Sequence, residues 1–401
     1  MDFLTLYEFI LDRLPESLDL EWLAFGIAAS TLAFLVFNAV ISATALYTWF
    51  ERRLLARIQS RLGPNRWGPF GLLQPLADVL KLMVKEDTVP DDADRPLFHL
   101  APIILLVPGL MVFTVIPLGD IPFENGSFLG RLNIGVLFIV GITGINALGV
   151  FIAGWASRNK YAMFGAMRAV AMLVSYEVPM ALALTGVVIM AGSLALTDIV
   201  IGQSVIYLVT QPLGFLVFMT AASAEMSRTP FDMVEAESEL GSGFNTEYSG
   251  IKFALFFLGE FMAPLAAAAV ATVLYLGGTR GFDPIPGQVW FVLKAFLVIL
   301  GLLWVRATWP RLRVDQIMGF AWKGLFPLAL FNMFLVAGEV LVFQDPVTGA
   351  ISSEELWLIA GINWVLTIVA VVVMAQVLGQ KRLKRPVPVP SPLANMNAGS
   401  E

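Results

Sequence analysis

The sequence predicts an all-α, polytopic transmembrane helix bundle of eight to nine spans with one interfacial amphipathic helix. Hydrophobic residues make up 58% of the 401 residues and charged residues only 14%, whereas a soluble domain carries about 25% charged residues. The apolar residues form runs of roughly 20, the length at which a helix crosses a bilayer. The segments between these runs are alternately rich and poor in Lys and Arg, which is typical of a multi-pass membrane protein.

Nine apolar runs are candidate spans. They lie near residues 22–50, 99–119, 133–156, 166–192, 206–226, 251–276, 289–308, 322–343 and 356–378. The fifth run is the weakest, because Pro212 and Gly214 interrupt it. The Lys/Arg alternation holds through all nine runs, and it predicts an N-terminus outside the membrane and a cytoplasmic C-terminus.

The remaining segments divide the chain into three parts. Residues 1–21 form a predicted N-terminal amphipathic segment, residues 22–378 the transmembrane domain, and residues 379–401 a basic, Pro-rich cytoplasmic tail. Inside the transmembrane domain, apolar residues at helical spacing predict a helix over 70–86. That helix is too short to span a bilayer and is therefore expected at the interface. Residues 227–250 are expected to form an acidic cytoplasmic loop.

The composition excludes several kinds of chemistry. The chain has no cysteine and one histidine, His99, whereas an iron–sulfur cluster needs several thiolate ligands and a bis-histidine haem needs two imidazoles. We therefore expect no redox centre and no metal site in this chain alone. No general basic surface suggests a nucleic-acid partner.

Three acidic residues fall inside the predicted spans. Glu177 and Glu260 lie about nine residues into the fourth and sixth spans, and Glu225 lies near the inner end of the fifth. Ionisable groups at this depth are unfavourable and mark functional sites by default. Pro179 and Pro264 follow two of these acids closely and free backbone carbonyls beside them, which favours a hydrated polar pocket. The structural alternative is a kinked helix that carries a neutral, hydrogen-bonded acid.

The densest polar segment begins at the end of the fifth span. Its charged residues are Glu225, Arg228, Asp232, Glu235, Glu237, Glu239 and Glu247. In a helix, Arg228 and Asp232 would form an i,i+4 pair, and Asp232, Glu235 and Glu239 would share one face. Clustered carboxylates raise one another's pKa and can exchange protons, but a solvated acidic loop would have the same pattern.

Outside this segment, we interpret Lys294 and Glu339 as structural residues that snorkel to the interface, and His99 as a boundary residue.

Three polar motifs go beyond these general patterns. They are residues 51–53 (ERR) with 59–65 (QSRLGPN) and 71–78 (GLLQPLAD), residues 168–171 (RAVA) with 175–177 (SYE), and residues 224–232 (AEMSRTPFD) with 243–248 (GFNTEY). Together they strongly resemble the H-subunit family of bacterial NADH:quinone oxidoreductase, or respiratory complex I, a relative of mitochondrial NADH dehydrogenase subunit 1. The resemblance covers about residues 20–345 and leaves out the tail.

The resemblance implies an enzyme complex in a bacterial inner membrane, with a periplasmic N-terminus. In that family this subunit forms much of the quinone chamber and links quinone reduction to proton translocation. Quinone is the substrate, and FMN and the iron–sulfur clusters belong to partner subunits. The implied partners are the peripheral-arm subunits of the quinone site, the antiporter-like membrane subunits and the lipid bilayer.

The resemblance also assigns roles to individual residues. The quinone-binding positions are Arg52, Arg61, Asp78, Phe257 and Arg306. The proton path comprises Glu177, Glu225, Asp232, Glu235, Glu237, Glu239 and Glu260. Arg228 and Glu51 are expected to support these groups through ion pairs. Phe261 stands where many relatives have Tyr, so a role for that hydroxyl group does not transfer to this chain.

Two other functions are compatible with the same patterns. A related membrane subunit of an ion-pumping hydrogenase would couple clusters to ion movement without quinone. A stand-alone secondary transporter would also use buried acids and broken helices, although the repeated halves common in transporters are not visible. A co-purifying NADH-oxidising module, as opposed to a nickel subunit, would separate the first two functions.

Overall fold

The computed structural model describes residues 21–117, 132–233, 241–282, 284–344 and 351–380, and every regular element in these ranges is a helix. The helices of the first half are α1 (Glu21–Ile58), α2 (Gln74–Val84), α3 (Arg95–Val115), α4 (Gly135–Thr143), α5 (Ile145–Ala156) and α6 (Lys160–Ala191). Those of the second half are α7 (Leu196–Gly202), α8 (Tyr207–Thr210), α9 (Pro212–Glu225), α10 (Gly250–Tyr275), α11 (Gly287–Thr308), α12 (Val314–Phe320), α13 (Phe326–Phe343) and α14 (Ser353–Gln380). Short 3₁₀ turns lie at Pro69–Gly71 and Gly243–Asn245, and a π-helical turn, Ala321–Leu325, joins α12 to α13.

Eight helical stretches in the described ranges are long and apolar enough to cross a membrane: α1, α3, α4 with α5, α6, α10, α11, α12 through α13, and α14. Their mean hydropathy lies between 1.8 and 2.4. The predicted all-α bundle of eight to nine spans is confirmed. The membrane side on which each loop lies stays a prediction from the Lys/Arg pattern.

The weak fifth run folds differently from a regular span. Residues 206–226 are divided between the short α8 and the 14-residue α9. Gln211, between them, leaves helical geometry with φ −132° and ψ 61°, because Pro212 disfavours the α conformation in the residue before it. At 1.5 Å per residue, α9 is only about 21 Å long.

The chain nevertheless passes from one end of the bundle to the other through this region. The Gln211 Nε2 donates to the Gly186 carbonyl near the Ala191 end of α6 at 3.3 Å. Further along, Gly243 packs against Gly165 near the start of α6, where a Cβ at Gly165 would lie 2.9 Å from the Gly243 Cα. That this region is a ninth membrane crossing, as the alternation of loops requires, stays a prediction.

A short helix forms in the segment predicted to lie at the interface. It covers Gln74–Val84, a shorter range than the predicted 70–86, and packs on α1 and α10. The chain enters it through a turn in which Phe70 has φ 56°, and both Trp49 and Arg53 of α1 donate to the Phe70 carbonyl at 3.1 and 2.9 Å. Its side chains Leu76, Leu80, Met83 and Val84 face away from this chain. Its position in the membrane interface stays a prediction.

Several predicted features lie outside the described residues. These are the N-terminal segment up to residue 20, the tail from residue 381, and Glu235, Glu237 and Glu239 of the acidic loop.

Candidate functional site

An ion pair between α1 and α2 opens a row of charged groups. Arg52 donates from Nη1 to Asp78 Oδ2 at 2.6 Å, and the same carboxylate accepts from Gln74 Nε2 at 3.3 Å and lies 3.6 Å from Lys81 Nζ. Burial acts to raise the pKa of Asp78, but the guanidinium of Arg52 with Gln74 and Lys81 holds it below its usual value. Arg61 does not join this row, because its side chain is exposed and donates to Gln59.

The second ion pair joins α1 to α11. Glu51 is buried, with 3% of its surface exposed, and its Oε1 meets Nη1 of Arg306. Glu51 directly precedes Arg52, so the first two ion pairs are neighbours on α1. One turn earlier, Tyr47 is also buried and packs its ring against Phe261 of α10. Glu51 thus forms an ion pair with Arg306, the residue expected at the quinone passage.

A third ion pair lies beyond this ring contact. Arg228 Nη2 is 2.9 Å from Glu260 Oε1, and its guanidinium carbon lies 4.4 Å from the centre of the Phe261 ring. The predicted helical pair between Arg228 and Asp232 is therefore wrong. The helix ends at Glu225, and Ser227 adopts the left-handed conformation with φ 51°, which breaks helical periodicity and turns Arg228 toward α10.

Asp232 lies in a non-helical stretch, so it cannot share a helical face with the later acids as the spacing suggested. Its Oδ1 is buried without a hydrogen-bond partner. Glu247, at the other end of the acidic loop, accepts from Asn159 Nδ2 at 2.6 Å, which ties that part of the loop to the start of α6.

A cavity of about 130 Å³ lies next to the third ion pair, inside the bundle between α3, α4, α5, α6, α9 and α10. Most of its lining is apolar. The polar exceptions include Glu225, Glu260, Asn146 and Asn245. A cavity of this volume with several polar groups can hold a few ordered water molecules. It thus connects the carboxylate of Glu260 with that of Glu225.

A narrower gap of about 10 Å³ continues from Glu225 to Glu177, with Asn146 and Tyr176 in its lining. This is about the space of one water molecule. The Glu177 carboxylate points at the break between α4 and α5, where a Cβ on Gly144 would lie only 2.5 Å from Glu177 Oε1. A glycine at this break therefore leaves the room that the carboxylate occupies.

A larger, mostly apolar cleft of about 1090 Å³ lies on the other side of the row, between α9, α11, α12 and α14. Tyr47, Arg228 and Arg306 line it. Phe257, in contrast, lies on α10, where its ring stacks on Phe253 and packs at a tilt against Phe261, with ring centres 5.8 and 4.6 Å apart. The charged row therefore has apolar surfaces on both sides.

The row brings together most of the predicted site residues. From α2 to α6 it runs through Asp78, Arg52, Glu51, Arg306, Arg228, Glu260, Glu225 and Glu177. Four residues of the site were not predicted from the sequence: Tyr47, Asn146, Gly144 and Asn245. Asn146 had a detectable signal, because it is the one amide side chain inside the apolar run 135–156. In the part of the chain that the structure describes, no three His, Cys, Asp or Glu residues cluster as metal ligands would.

Two residues interpreted as snorkelling have other roles. Lys294 Nζ donates to the carbonyls of Leu276, Gly278 and Arg280 at 2.7, 3.1 and 2.5 Å, which satisfies the free carbonyls after α10. Glu339 does not reach the interface, because its side chain is buried and accepts from Asn363.

The family described as NADH dehydrogenase matches residues 31–337. The H subunit of NADH-quinone oxidoreductase from Dehalococcoides mccartyi (strain CBDB1) is 49% identical over 312 residues, which are 78% of this chain and 86% of the relative. The protein of that name from Geobacillus kaustophilus is 47% identical over 320 residues, or 79% and 93% of the two chains. The one from Bacillus cytotoxicus is 46% identical over 333 residues, or 82% and 98%.

These matches confirm the family predicted from the polar motifs. They cover most of this chain and nearly the whole length of each relative. The chain therefore belongs to the NADH dehydrogenase family.

Proposed function

We propose that this chain is the membrane subunit of an NADH:quinone oxidoreductase that forms the quinone chamber and links quinone reduction to proton translocation. The names of its relatives support the enzyme complex. The observation that carries the finer proposal is the continuous row of ion pairs and buried acids, which runs from α2 through α1, α11 and α10 to α6.

The proposed chamber has the two kinds of surface that a quinone requires. The ring and isoprenoid chain are apolar, and the three neighbouring phenylalanine rings on α10 and the cleft beside α11 offer apolar walls. The carbonyl oxygens of the quinone need hydrogen-bond donors. Arg52 on α1, and Arg306, which pairs with Glu51 of α1, can supply them. Asp78 orients Arg52, and Glu51 orients Arg306. In this proposal, FMN and clusters of partner subunits supply the electrons.

The coupling follows from the chemistry of reduction. A quinone that accepts two electrons takes up two protons to become the quinol. A change of charge near Arg306 and Glu51 acts next on Arg228 and Glu260, because Tyr47 and Phe261 join the two pairs. Water in the cavity can carry a proton between Glu260, Glu225 and Glu177, and each titration changes the pKa of its neighbours.

The proposal includes the partners and the membrane. Peripheral-arm subunits would close the chamber on the α2 side, where apolar side chains face away from this chain, and antiporter-like subunits would continue the proton path. The membrane is the bacterial inner membrane, with the C-terminus in the cytoplasm. Because the chain has no cysteine, single cysteines test this orientation. Labelling of Arg158→Cys only from outside the cell would contradict it.

Substitution of Glu225 tests the proton path. Glu225→Gln keeps the shape and hydrogen bonding of the side chain but removes its charge. We expect quinone reduction and proton pumping to fall together, while NADH oxidation by an artificial acceptor survives, because that acceptor takes electrons upstream of quinone. Glu354→Gln, an exposed acid at the start of α14, is the matched control and should resemble the wild type. Full pumping in both Glu225→Gln and Glu177→Gln would refute the path.

A photoreactive quinone tests the chamber in the intact complex. We expect labelled peptides from α1, α2 and α10, near Arg52 and Phe257. Labelling confined to α11 and α14 would instead assign the quinone to the cleft on the other side of the row. Labelling confined to the loops beyond the ends of α6 and α10 would contradict a chamber in this subunit.

A further inference from the structure

A second group of buried polar side chains lies near the Ala191 end of α6, away from the row described above. Thr210 and Gln211 stand at the break between α8 and α9, Asn332 and Glu339 lie on α13, and Asn363 lies on α14. Their exposed fractions are 0%, 1%, 1%, 9% and 3%. Five side chains thus converge inside the bundle, and none of them lines the cavity, the gap or the cleft beside the row.

Asn363 holds this group together. Its Nδ2 donates to Glu339 Oε2 at 3.0 Å and to the Thr210 carbonyl at 2.7 Å. Two glycines allow Asn332 to approach, because a Cβ on either Gly186 or Gly214 would lie 3.0 Å from Asn332 Nδ2. The polar atoms at the break before Pro212 therefore face α13 and α14.

The group contains polar atoms that its own hydrogen bonds do not satisfy. The buried side-chain atoms without a partner are Thr210 Oγ1, Gln211 Oε1, Asn332 Nδ2, Glu339 Oε1 and Asn363 Oδ1. Three of these are oxygens that can only accept, unless Glu339 carries a proton. A buried polar atom without a partner is unfavourable. A proton on Glu339 would add a donor beside the unpaired oxygens, and water would bond to the remaining atoms.

The lack of a counter-charge near Glu339 in the described ranges also favours a proton on its carboxyl group. Across the described ranges, no Lys, Arg or His lies within ion-pair distance of Glu339, whose only direct polar partner is Asn363. The elements packed against α13 carry the following charged residues: Lys160, Arg168 and Glu177 on α6, Glu225 on α9, Lys323 in the π-helical turn, and Glu354 and Glu355 on α14. A buried carboxylate with no counter-charge is strongly unfavourable, so the neutral form is favoured.

This group is separate from the acids of the proposed path. Gln211 precedes the first residue of α9 and Glu225 is its last, so the two polar regions lie about 21 Å apart along that helix. Glu339 lies five residues before Gln344, just beyond the end of α13, which is about 7 Å along the axis. A proton bound here would lie near the Gln344 end of α13, at the opposite end of α9 from Glu225.

We propose that Glu339, Asn363 and Thr210, with water held at the free oxygens, form a second proton-binding site at the Gln211 end of α9. The ligand is a proton, and the group that binds it is the Glu339 carboxyl. A role of this site in passing protons to the far side of the membrane rests on the proposed function, but the binding of a proton by the site does not.

Chemical modification of the purified wild-type complex tests the site directly. A hydrophobic carbodiimide adds to protonated carboxyl groups in apolar surroundings, and mass spectrometry locates the adduct. We expect an adduct on Glu339 at mildly acidic pH that declines several-fold toward alkaline pH, and none on the exposed Glu354. No adduct on Glu339 at any pH would overturn the proposal. Protection of Glu339 by sodium ions at constant pH would also overturn it, because the site would then bind a cation.

A variant tests the role in transfer. In Glu339→Gln the amide oxygen can still accept from Asn363, but the side chain cannot ionise. We expect fewer protons pumped per NADH oxidised than in the wild type, with Glu354→Gln as the matched control. An unchanged ratio would overturn the transfer role. Full pumping in both Glu225→Gln and Glu177→Gln would refute the proposed path but leave the carbodiimide result at Glu339 intact, so the two failures are distinguishable.

Discussion

The charged row has two halves that satisfy their charges in different ways. Between α2 and α10, each acid meets an arginine: Asp78 with Arg52, Glu51 with Arg306, and Glu260 with Arg228. Between α10 and α6, Glu225 and Glu177 form no ion pair with any residue the structure describes, and they border spaces that can hold water. The paired half is suited to fix helices in place, and the other half to exchange protons.

This difference predicts that the two halves respond differently to substitution. Loss of a partner in the two more buried pairs, Glu51 with Arg306 and Glu260 with Arg228, removes the counter-charge from a group shielded from water and should cost stability first. Loss of a charge in the half that borders water should cost activity first, because no counter-ion is left behind. The following predictions test this contrast, from the largest expected effect to the smallest.

Arg228→Gln should have the largest effect. The substitution removes the guanidinium from the carboxylate of Glu260, whose side chain is 18% exposed. Breaking such a largely shielded pair costs up to about 3–5 kcal/mol, and the contact with the Phe261 ring is lost as well. We expect a lower melting temperature of the purified complex and a loss of quinone reduction. The double variant with Glu260→Gln should recover part of the stability but not the activity. A single variant as stable as the wild type would show that the pair does not hold α10.

Gly144→Ala should have an intermediate effect on the other half. The added methyl group would lie 2.5 Å from Glu177 Oε1, so the carboxylate, which is the end of a flexible side chain, must move away from the break at little cost to stability. We expect a several-fold loss of proton pumping with normal assembly. Gly141→Ala on the same segment is the matched control, because nothing lies within 4 Å of its added Cβ. Equal pumping by the two variants would mean that the position of Glu177 is not critical.

Asp78→Asn should have the smallest effect on stability. The ion pair with Arg52 is partly exposed, so its loss costs less than about 1 kcal/mol. We expect a higher KM for quinone with little change in melting temperature, and Asp91→Asn, an exposed acid, as the unaffected control. An unchanged KM would show that Asp78 is not part of the quinone chamber.

The lowered pKa of Asp78 also predicts a pH dependence. A carboxylate whose pKa is lowered in the folded protein contributes stability above its unfolded pKa, and that stability is lost as the pH falls through the folded value. Because the folded value lies below the usual carboxylate range, quinone reduction near neutral pH should show no titration of this residue. A wild-type inflection near neutral pH that disappears in Asp78→Asn would contradict this assignment.

The sequence predicted the helices well because hydrophobicity is a local property. Apolar runs identified every long span, and Pro212 marked the one that is broken. The buried acids Glu177, Glu225 and Glu260 were also visible, since a charge inside an apolar run is a local anomaly. Glu339 was visible in the same way, but its nearness to a helix end suggested the interface. Asn332, seven residues earlier on the same helical face, was the signal that the face is buried and polar.

The tertiary structure decided which groups meet. The sequence by itself determined the family, the all-α bundle and the acids at membrane depth, because each depends on neighbouring residues or on motifs within one segment. It could not determine that Arg228 pairs with Glu260 rather than with Asp232, that Glu51 pairs with Arg306, or that water-sized spaces join Glu260 to Glu177. Those contacts join residues on helices far apart in the chain, and their distances depend on how the helices pack.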